Sequence, residues 1–296
     1  DGLLAAHDRG VDVRFVGDGD ELEDEGYEEL DLAGVPMSLR APKDRIMHNK
    51  FAVIDDEVVW TGSTNFSENG VVRNINGSMS IRSTELAALY TAEFEQMFTD
   101  GLFGRKKNPV DTSADVAVGA SVLQLEFSPE GAPDLAVLDA LATADHTVLF
   151  FIFSFTRLDF VDELVALHES GVQVVGIFDT SQGDGRYSVD ELLAEAGVPV
   201  FLDGNENAIG WASGKLHHKT FIIDPMTPDD PTVTLGSYNW SNSATNYNDE
   251  NLLVVHSGEI AAAYTDEFCA LLDIATPHPS YTGEIPDPCA ALLQQV

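Results

Sequence analysis

The sequence is that of an α/β protein built from two tandem copies of one module. Each copy is expected to be a mixed β-sheet flanked by helices, and the two are expected to pack about a pseudo-two-fold axis. Three observations predict this. Five sequence blocks recur in the same order, helical and strand-like patterns alternate within each copy, and one His-x-Lys-x4-Asp segment occurs in each. Leu3–Asp18 (LLAAHDRGVDVRFVGD) lines up with Leu164–Asp179 (LVALHESGVQVVGIFD), and Leu32–Met37 (LAGVPM) with Glu195–Val200 (EAGVPV). His48–Asp55 (HNKFAVID) matches His217–Asp224 (HHKTFIID), Gly62–Phe66 (GSTNF) matches Gly236–Trp240 (GSYNW), and Tyr90–Phe94 matches Tyr264–Phe268. The offset grows from 161 through 163 and 169 to 174, so the second copy gains only small insertions.

The elements follow the same order in each copy. A helix with apolar residues at helical spacing ends near Gly10 or Gly171, and a Val/Phe/Ile strand follows. A second short helix ends at the Ala-Gly-Val-Pro turn, where Gly34 and Gly197 suit the left-handed residue that closes a helix. Two hairpins come next, Phe51–Ile54 with Val58–Thr61 and Phe221–Ile223 with Thr232–Leu235. A closing helix is expected over 85–98 and 259–272. The expected division is a first lobe over 1–104, a linker over 105–120 opening on Arg105-Lys106-Lys107, and a second lobe over 121–296.

The copies are unequal. The second opens with 121–155, which holds an expected helix over 134–143 and the apolar strand Thr147–Phe155 (TVLFFIFSF). Residue 1 already aligns with Asp162, so roughly 40 to 50 residues have no counterpart in the first copy, which is therefore expected to be incomplete at its N-terminus.

Charge narrows the function. The 50 acids against 15 Lys+Arg leave a net charge of -35, a surface that repels polyanions and reads as a solubility adaptation to high salt or secretion. The few cations are uneven: Arg40, Lys43, Arg45, Lys50, Lys215 and Lys219 all lie within eight residues of His48 or His217. A basic pocket inside an acidic shell suits one bound phosphate. Cys269 and Cys289 are too few for a metal cluster; they either form one bridge, pointing to an extracellular or periplasmic setting, or remain as two thiols. No apolar run is long enough to span a membrane.

On a strand, His-x-Lys places both side chains on one face, because the side-chain period is two. Two such strands meeting at a dyad bring His48, His217, Lys50 and Lys219 around one site. Ser63, Asn65, Ser237 and Asn239 of the Gly-Ser-x-Asn blocks would add polar donors for a phosphodiester and its transition-state charge. One imidazole attacks phosphorus while the other protonates the leaving oxygen. This chemistry calls for no cofactor, and no metal-ligand spacing accompanies it. Apolar Trp211, Trp240 and Phe66 lie near the motifs and either line substrate access or pack in the core.

The doubled motif, His48/Lys50/Asp55 and His217/Lys219/Asp224, resembles the signature of the phospholipase D superfamily over nearly the whole chain, with the compact repeats similar to its bacterial nuclease-like branch. The resemblance implies two phospholipase D-like lobes and a metal-free phosphohistidine mechanism, with Asp55 and Asp224 supporting the site rather than reacting. Substrates in that superfamily include phospholipids and nucleic acids; a phospholipid headgroup is expected here, with a nuclease as the alternative. Both motifs lie in one chain, so a monomer suffices. The resemblance also implies that Glu250, in Asn248–Asn251 (NDEN), orients the motif histidine, and the offset of 174 puts Asn76 at the corresponding place in the first copy. Glu250 is thus expected to pair with His217 and hold it protonated as general acid, leaving His48, without a charged partner, as the neutral nucleophile.

Overall fold

The computed structural model describes residues 1–43, 45–183, 185–204, 214–285 and 288–289. The first copy runs α1 (Gly2–Asp8), β1 (Phe15–Asp18), α2 (Glu25–Leu32), β2 (Met37–Arg40), β3 (Phe51–Ile54), β4 (Val58–Gly62), α3 (Glu68–Val72), β5 (Ser78–Arg82) and α4 (Thr84–Phe98). The second opens with β6 (Val116–Val118), β7 (Ser121–Ser128), α5 (Pro133–Leu141) and β8 (Thr147–Ile152). It then repeats the order with α6 (Leu158–Ser170), β9 (Gln173–Phe178), α7 (Thr180–Gly183), α8 (Asp190–Glu195), β10 (Val200–Leu202), β11 (Lys219–Ile223), β12 (Thr232–Gly236), α9 (Asn242–Asn246), β13 (Glu250–His256), α10 (Gly258–Leu272) and β14 (Thr276–Pro277). The expected helices and hairpins are present, and Gly34 and Gly197 close α2 and α8 at φ 79 and 88, where a side chain would be strained.

The second half forms one nine-stranded sheet in the order β14-β10-β9-β8-β11-β12-β13-β7-β6. Strand β8 is parallel to β9 and antiparallel to β11, with Lys219 opposite Ile152. Its continuous apolar run is explained by burial on both faces, since Val148 to Ile152 are inaccessible to solvent. One face packs under α5, α6 and α8.

The other face meets the first copy. Val59, Ile81, Leu86 and Tyr90 share a single core with Leu125, Leu253, Tyr264 and Phe268, so the two halves are joined by apolar packing rather than by a tether. Residues 105–120 take part in that union, supplying edge strand β6 and the buried Lys107.

The first copy departs from the expected single mixed sheet. Its strands form a parallel pair, β1-β2, and a separate antiparallel sheet, β3-β4-β5. Among the described residues no counterpart of β8 joins them. The motif aspartates register this difference. Asp224, at the turn after β11, accepts the backbone N–H groups of Asp145, His146 and Thr147 at 2.7, 2.9 and 2.6 Å and so anchors the start of β8. Asp55 occupies the same turn, with φ 54 against 47 for Asp224, but is exposed, and Ile54 beside it is 50% exposed.

Cys269 on α10 is bonded to Cys289, across a Cα–Cα distance of 5.8 Å. Closing a loop of this size stabilises the native state by about 3 kcal/mol, mainly by restricting the unfolded chain. Reduction under native conditions, or the Cys269→Ala/Cys289→Ala variant, should therefore lower the unfolding midpoint without altering the circular dichroism of the folded state. An unchanged midpoint would show that the bridge contributes nothing.

Candidate active site

The site lies where the two copies exchange backbone pairs. Met47 bridges Asp249, and Ile75 bridges Leu216, both in parallel sense. The offsets of 169 and 174 that relate the copies convert one bridge into the other, so the pseudo-dyad passes between them. The His48 N–H donates to Asp249 O at 2.9 Å, and the His217 N–H donates to Ile75 O at 2.8 Å. Each histidine is thereby attached to the segment that carries the other copy's orienting residue.

That exchange corrects the expected pairing. Glu250 does not face His217. It faces His48, whose Nδ1 lies 2.5 Å from Glu250 Oε2. His217 Nδ1 lies 3.0 Å from both Asn76 Oδ1 and the Ser63 carbonyl. Every one of these partners is an acceptor, so both rings hold their proton on Nδ1 and present Nε2 for chemistry. Glu250 is itself held by Asn248 Nδ2, which donates to Oε1 at 3.2 Å.

The lysines follow the symmetry too. Lys50 Nζ donates to His48 O at 2.6 Å, and Lys219 Nζ donates to His217 O at 2.7 Å. Neither has a carboxylate partner among the described residues, and both are buried. Burial pushes Lys50 down to about 7 against the opposing pull of Glu250 and Asp18. Lys219 is driven well below its ordinary value by burial and then by the like charge of Lys50. His217 is likewise held far below the usual imidazole range by burial, and next by Lys219, Lys50 and His48. Burial lowers His48 also, but there Glu250 acts in the opposite direction. Burial alone would raise Glu250; His48 and Lys50 keep it below the usual carboxylate value. The centre is buried and rich in cationic side chains, with Glu250 the carboxylate in contact with a motif histidine among the described residues.

The polar residues of the Gly-Ser-x-Asn blocks divide into two groups. Ser63 Oγ donates to Asn76 Oδ1 at 2.8 Å, and Ser237 Oγ accepts the Asn251 N–H at 3.0 Å, so both hydroxyls brace the frame behind the histidines. The Asn65 and Asn239 amides have no hydrogen-bond partner among the described residues, and Asn239 Oδ1 is buried. They are the free polar groups of the two loops. Asp224 sits at the far end of its strand, bracing β8 rather than touching the histidines.

The candidate access residues also separate. Trp240 is wholly buried, stacked on Phe221 at 3.8 Å, and is core. Trp211 lies outside the described residues. Phe66, the counterpart of Trp240, is 62% exposed, and Val71 and Val72 of α3 are exposed with it. His218 points away from Lys219 as strand alternation requires; it packs on Phe151 and Tyr264, and burial pushes it down to about 3.

One participant was not legible beforehand. Lys107 is buried against Glu93, with Glu130 Oε1 at 3.0 Å and Asp249 Oδ1 at 3.1 Å. Arg40 Nη1 meets the other oxygen of Asp249 at 2.6 Å. Asp249 is the residue whose carbonyl holds His48, so these cations support the dyad from behind. The basic run at 105–107 is its only trace in the sequence.

Comparison with known proteins agrees with this geometry. The family model described as "Cardiolipin synthase, PLD-like domain" matches residues 1–98 and 137–272. A protein named mitochondrial cardiolipin hydrolase from Chlamydomonas reinhardtii is 30% identical over 137 residues, covering 46% of this chain and 56% of that protein. Its human namesake is 32% identical over 158 residues, covering 51% of this chain and 58% of that one. The chain thus spans little more than half the length of these relatives. The phosphatidylserine synthase structure from Haemophilus influenzae superposes with a TM-score of 0.66 at 12% identity, over 99% of this chain and 82% of that one, which shows a shared fold. With the family model matched over most of its length and both motifs in place, the chain belongs to the phospholipase D superfamily.

Proposed function

We propose that the protein is a phospholipase D-like phosphodiesterase acting on a phospholipid through a phosphohistidine intermediate. The observation that carries the chemistry is the crosswise pairing, which leaves two imidazole Nε2 atoms beside two lysines that have no ion-pair partner among the described residues. His48 is the nucleophile. Its Nε2 bonds to phosphorus, the P–O bond to the leaving alcohol breaks, and His217 Nε2 supplies the proton that the alkoxide takes up. Glu250 neutralises the positive charge that builds on the His48 ring as that bond forms. His217, braced only by neutral acceptors, is the weaker base and so the readier acid once a phosphodiester anion has drawn a proton onto it. A water then gives its proton to His217 and attacks phosphorus, and the P–N bond to His48 breaks. The expected roles are kept, for the opposite electrostatic reason. Lys50, Lys219, Asn65 and Asn239 hold the phosphoryl oxygens.

The lipid assignment rests on the rim. Phe66, Val71 and Val72 present apolar surface beside the Asn65 loop, while the shell as a whole is strongly acidic. A nucleic-acid strand would be repelled by that shell except along the cleft, where Arg73 and Lys215 are exposed and without a carboxylate partner among the described residues. The test has two arms. Phosphoenzyme trapped from His217→Asn should carry its label on His48; label on His217 in a His48→Asn variant alone would reverse the roles. Phospholipid vesicles should be hydrolysed and single-stranded DNA left intact across a salt range; the reverse result would make the protein a nuclease.

A further inference from the structure

Away from the two motifs, three of this chain's arginines are held in ion pairs. Arg14 meets Glu95 at 2.6 Å, Arg82 meets Glu57 at 2.5 Å, and Arg157 joins Asp134 at 3.0 Å as well as Asp159. Arg45 and Arg105 are not so held, and they share one aromatic neighbour. Both are exposed, and both guanidinium groups stand over the ring of Tyr247, at 4.5 and 5.4 Å. Among the described residues neither has a carboxylate partner, in a chain with 50 acids. Two guanidinium groups gathered on one ring offer their N–H donors to an anion that reaches the same place.

The place of the cluster gives it meaning. Arg45 precedes His48 by three residues, and Tyr247 precedes Glu250 by three. The two segments are bonded to each other: the Asp249 N–H donates to Ile46 O at 3.1 Å, next to the His48–Asp249 bond. Buried Arg40 fastens both, donating from Nη1 to Ile46 O and from Nη2 to Tyr247 O at 3.0 Å each. Gly104, just before Arg105, donates its N–H to Asp249 Oδ1 at 2.7 Å. Three residues of chain reach at most about 10 Å, so the cluster borders the His48–Glu250 dyad on a frame that cannot drift from it.

We propose that Arg45, Tyr247 and Arg105 form a subsite for a second phosphoryl group of the substrate, joined to the scissile phosphate by a short bridge. The proposal rests on the phosphodiesterase reading above and deepens it: the substrate offers two phosphates, one between the motif lysines and one between the paired guanidiniums. Arginine suits this role because its planar fork grips two phosphoryl oxygens at once.

The experiment is equilibrium binding by calorimetry to the full chain at fixed salt, with glycerol 3-phosphate, glycerol 1,3-bisphosphate and a 5′-phosphorylated dinucleotide as probes. Wild type should bind the bisphosphate at least about tenfold more tightly than the monophosphate. The Arg45→Gln/Arg105→Gln variant, altered only at exposed positions, should bind the two within about threefold of each other. Arg82→Gln, removing an exposed cation elsewhere, should keep the full preference. Equal affinities in wild type, or a preference that survives Arg45→Gln/Arg105→Gln, would overturn the subsite. If the dinucleotide binds best and that advantage is lost in the double variant, the subsite stands and the lipid reading fails, which separates the two conclusions.

Discussion

Replacing Glu250 with glutamine should lower kcat/KM about 100-fold or more, equivalent to about 2.7 kcal/mol of transition-state stabilisation. The amide still reaches His48 Nδ1 across the 2.5 Å contact, so the ring keeps its orientation. In the proposed mechanism, what is lost is the negative charge opposite the cation that forms when Nε2 bonds to phosphorus. The pH profile separates this from a merely structural effect. Glu250 raises His48 against the larger effect of burial, so removing its charge lowers His48 further. The acid limb of kcat/KM, which reports protonation of the nucleophile, should move to lower pH as the plateau falls. Asn76→Asp should act on the other limb: a carboxylate beside His217 raises that group and carries the basic limb to higher pH. If Glu250→Gln moved the basic limb instead, Glu250 would be serving His217 and the crosswise assignment would be wrong.

Lys107→Met should be the most destabilising single change outside the apolar core, at about 3–5 kcal/mol, because it leaves buried carboxylates without their cation. The ammonium is held above its ordinary value, since Glu93, Asp249 and Glu130 together outweigh the effect of burial. Glu93 moves upward for the complementary reason: burial raises it more than Lys107 can lower it, and its Oε2 has no hydrogen-bond partner among the described residues. Without Lys107, the folded state would hold Glu93 still further above its ordinary value. A carboxylate raised on folding destabilises when ionised, so the deficit grows as pH rises and shrinks as it falls. The gap in unfolding midpoint between variant and wild type should therefore narrow from about pH 8 to about pH 5. Lys107→Met/Glu93→Gln should recover part of the loss by removing one orphaned charge. A Lys107→Met protein as stable as wild type at both pH values would show that the cluster contributes no net stability.

The elements themselves were legible because local chemistry specifies them. Alternating or continuous Val/Ile/Phe segments gave strands, Gly34 and Gly197 ended helices, and the paired His-x-Lys blocks marked the site before any contact was known. Among the described residues the first copy holds no counterpart of Thr147–Ile152, and its strands form two separate sheets with Asp55 exposed. The burial of Lys107 was not legible, for a definable reason. A basic run is solvated by default, and only the meeting of Glu93, Glu130 and Asp249 from three distant positions makes a buried home for Lys107.

Sequence alone thus determined the α/β class and singled out the four motif side chains together with Glu250 and Asn76. Only the tertiary structure decided which orienting residue serves which histidine. The repeat implies that each copy supplies its own pair, since a pattern read along one chain knows nothing of a dyad. Once the copies pack face to face, Met47 bridges Asp249 and Ile75 bridges Leu216. Each strand that carries a histidine then runs beside the other copy's segment, and the carboxylate of the second half comes to rest on the imidazole of the first.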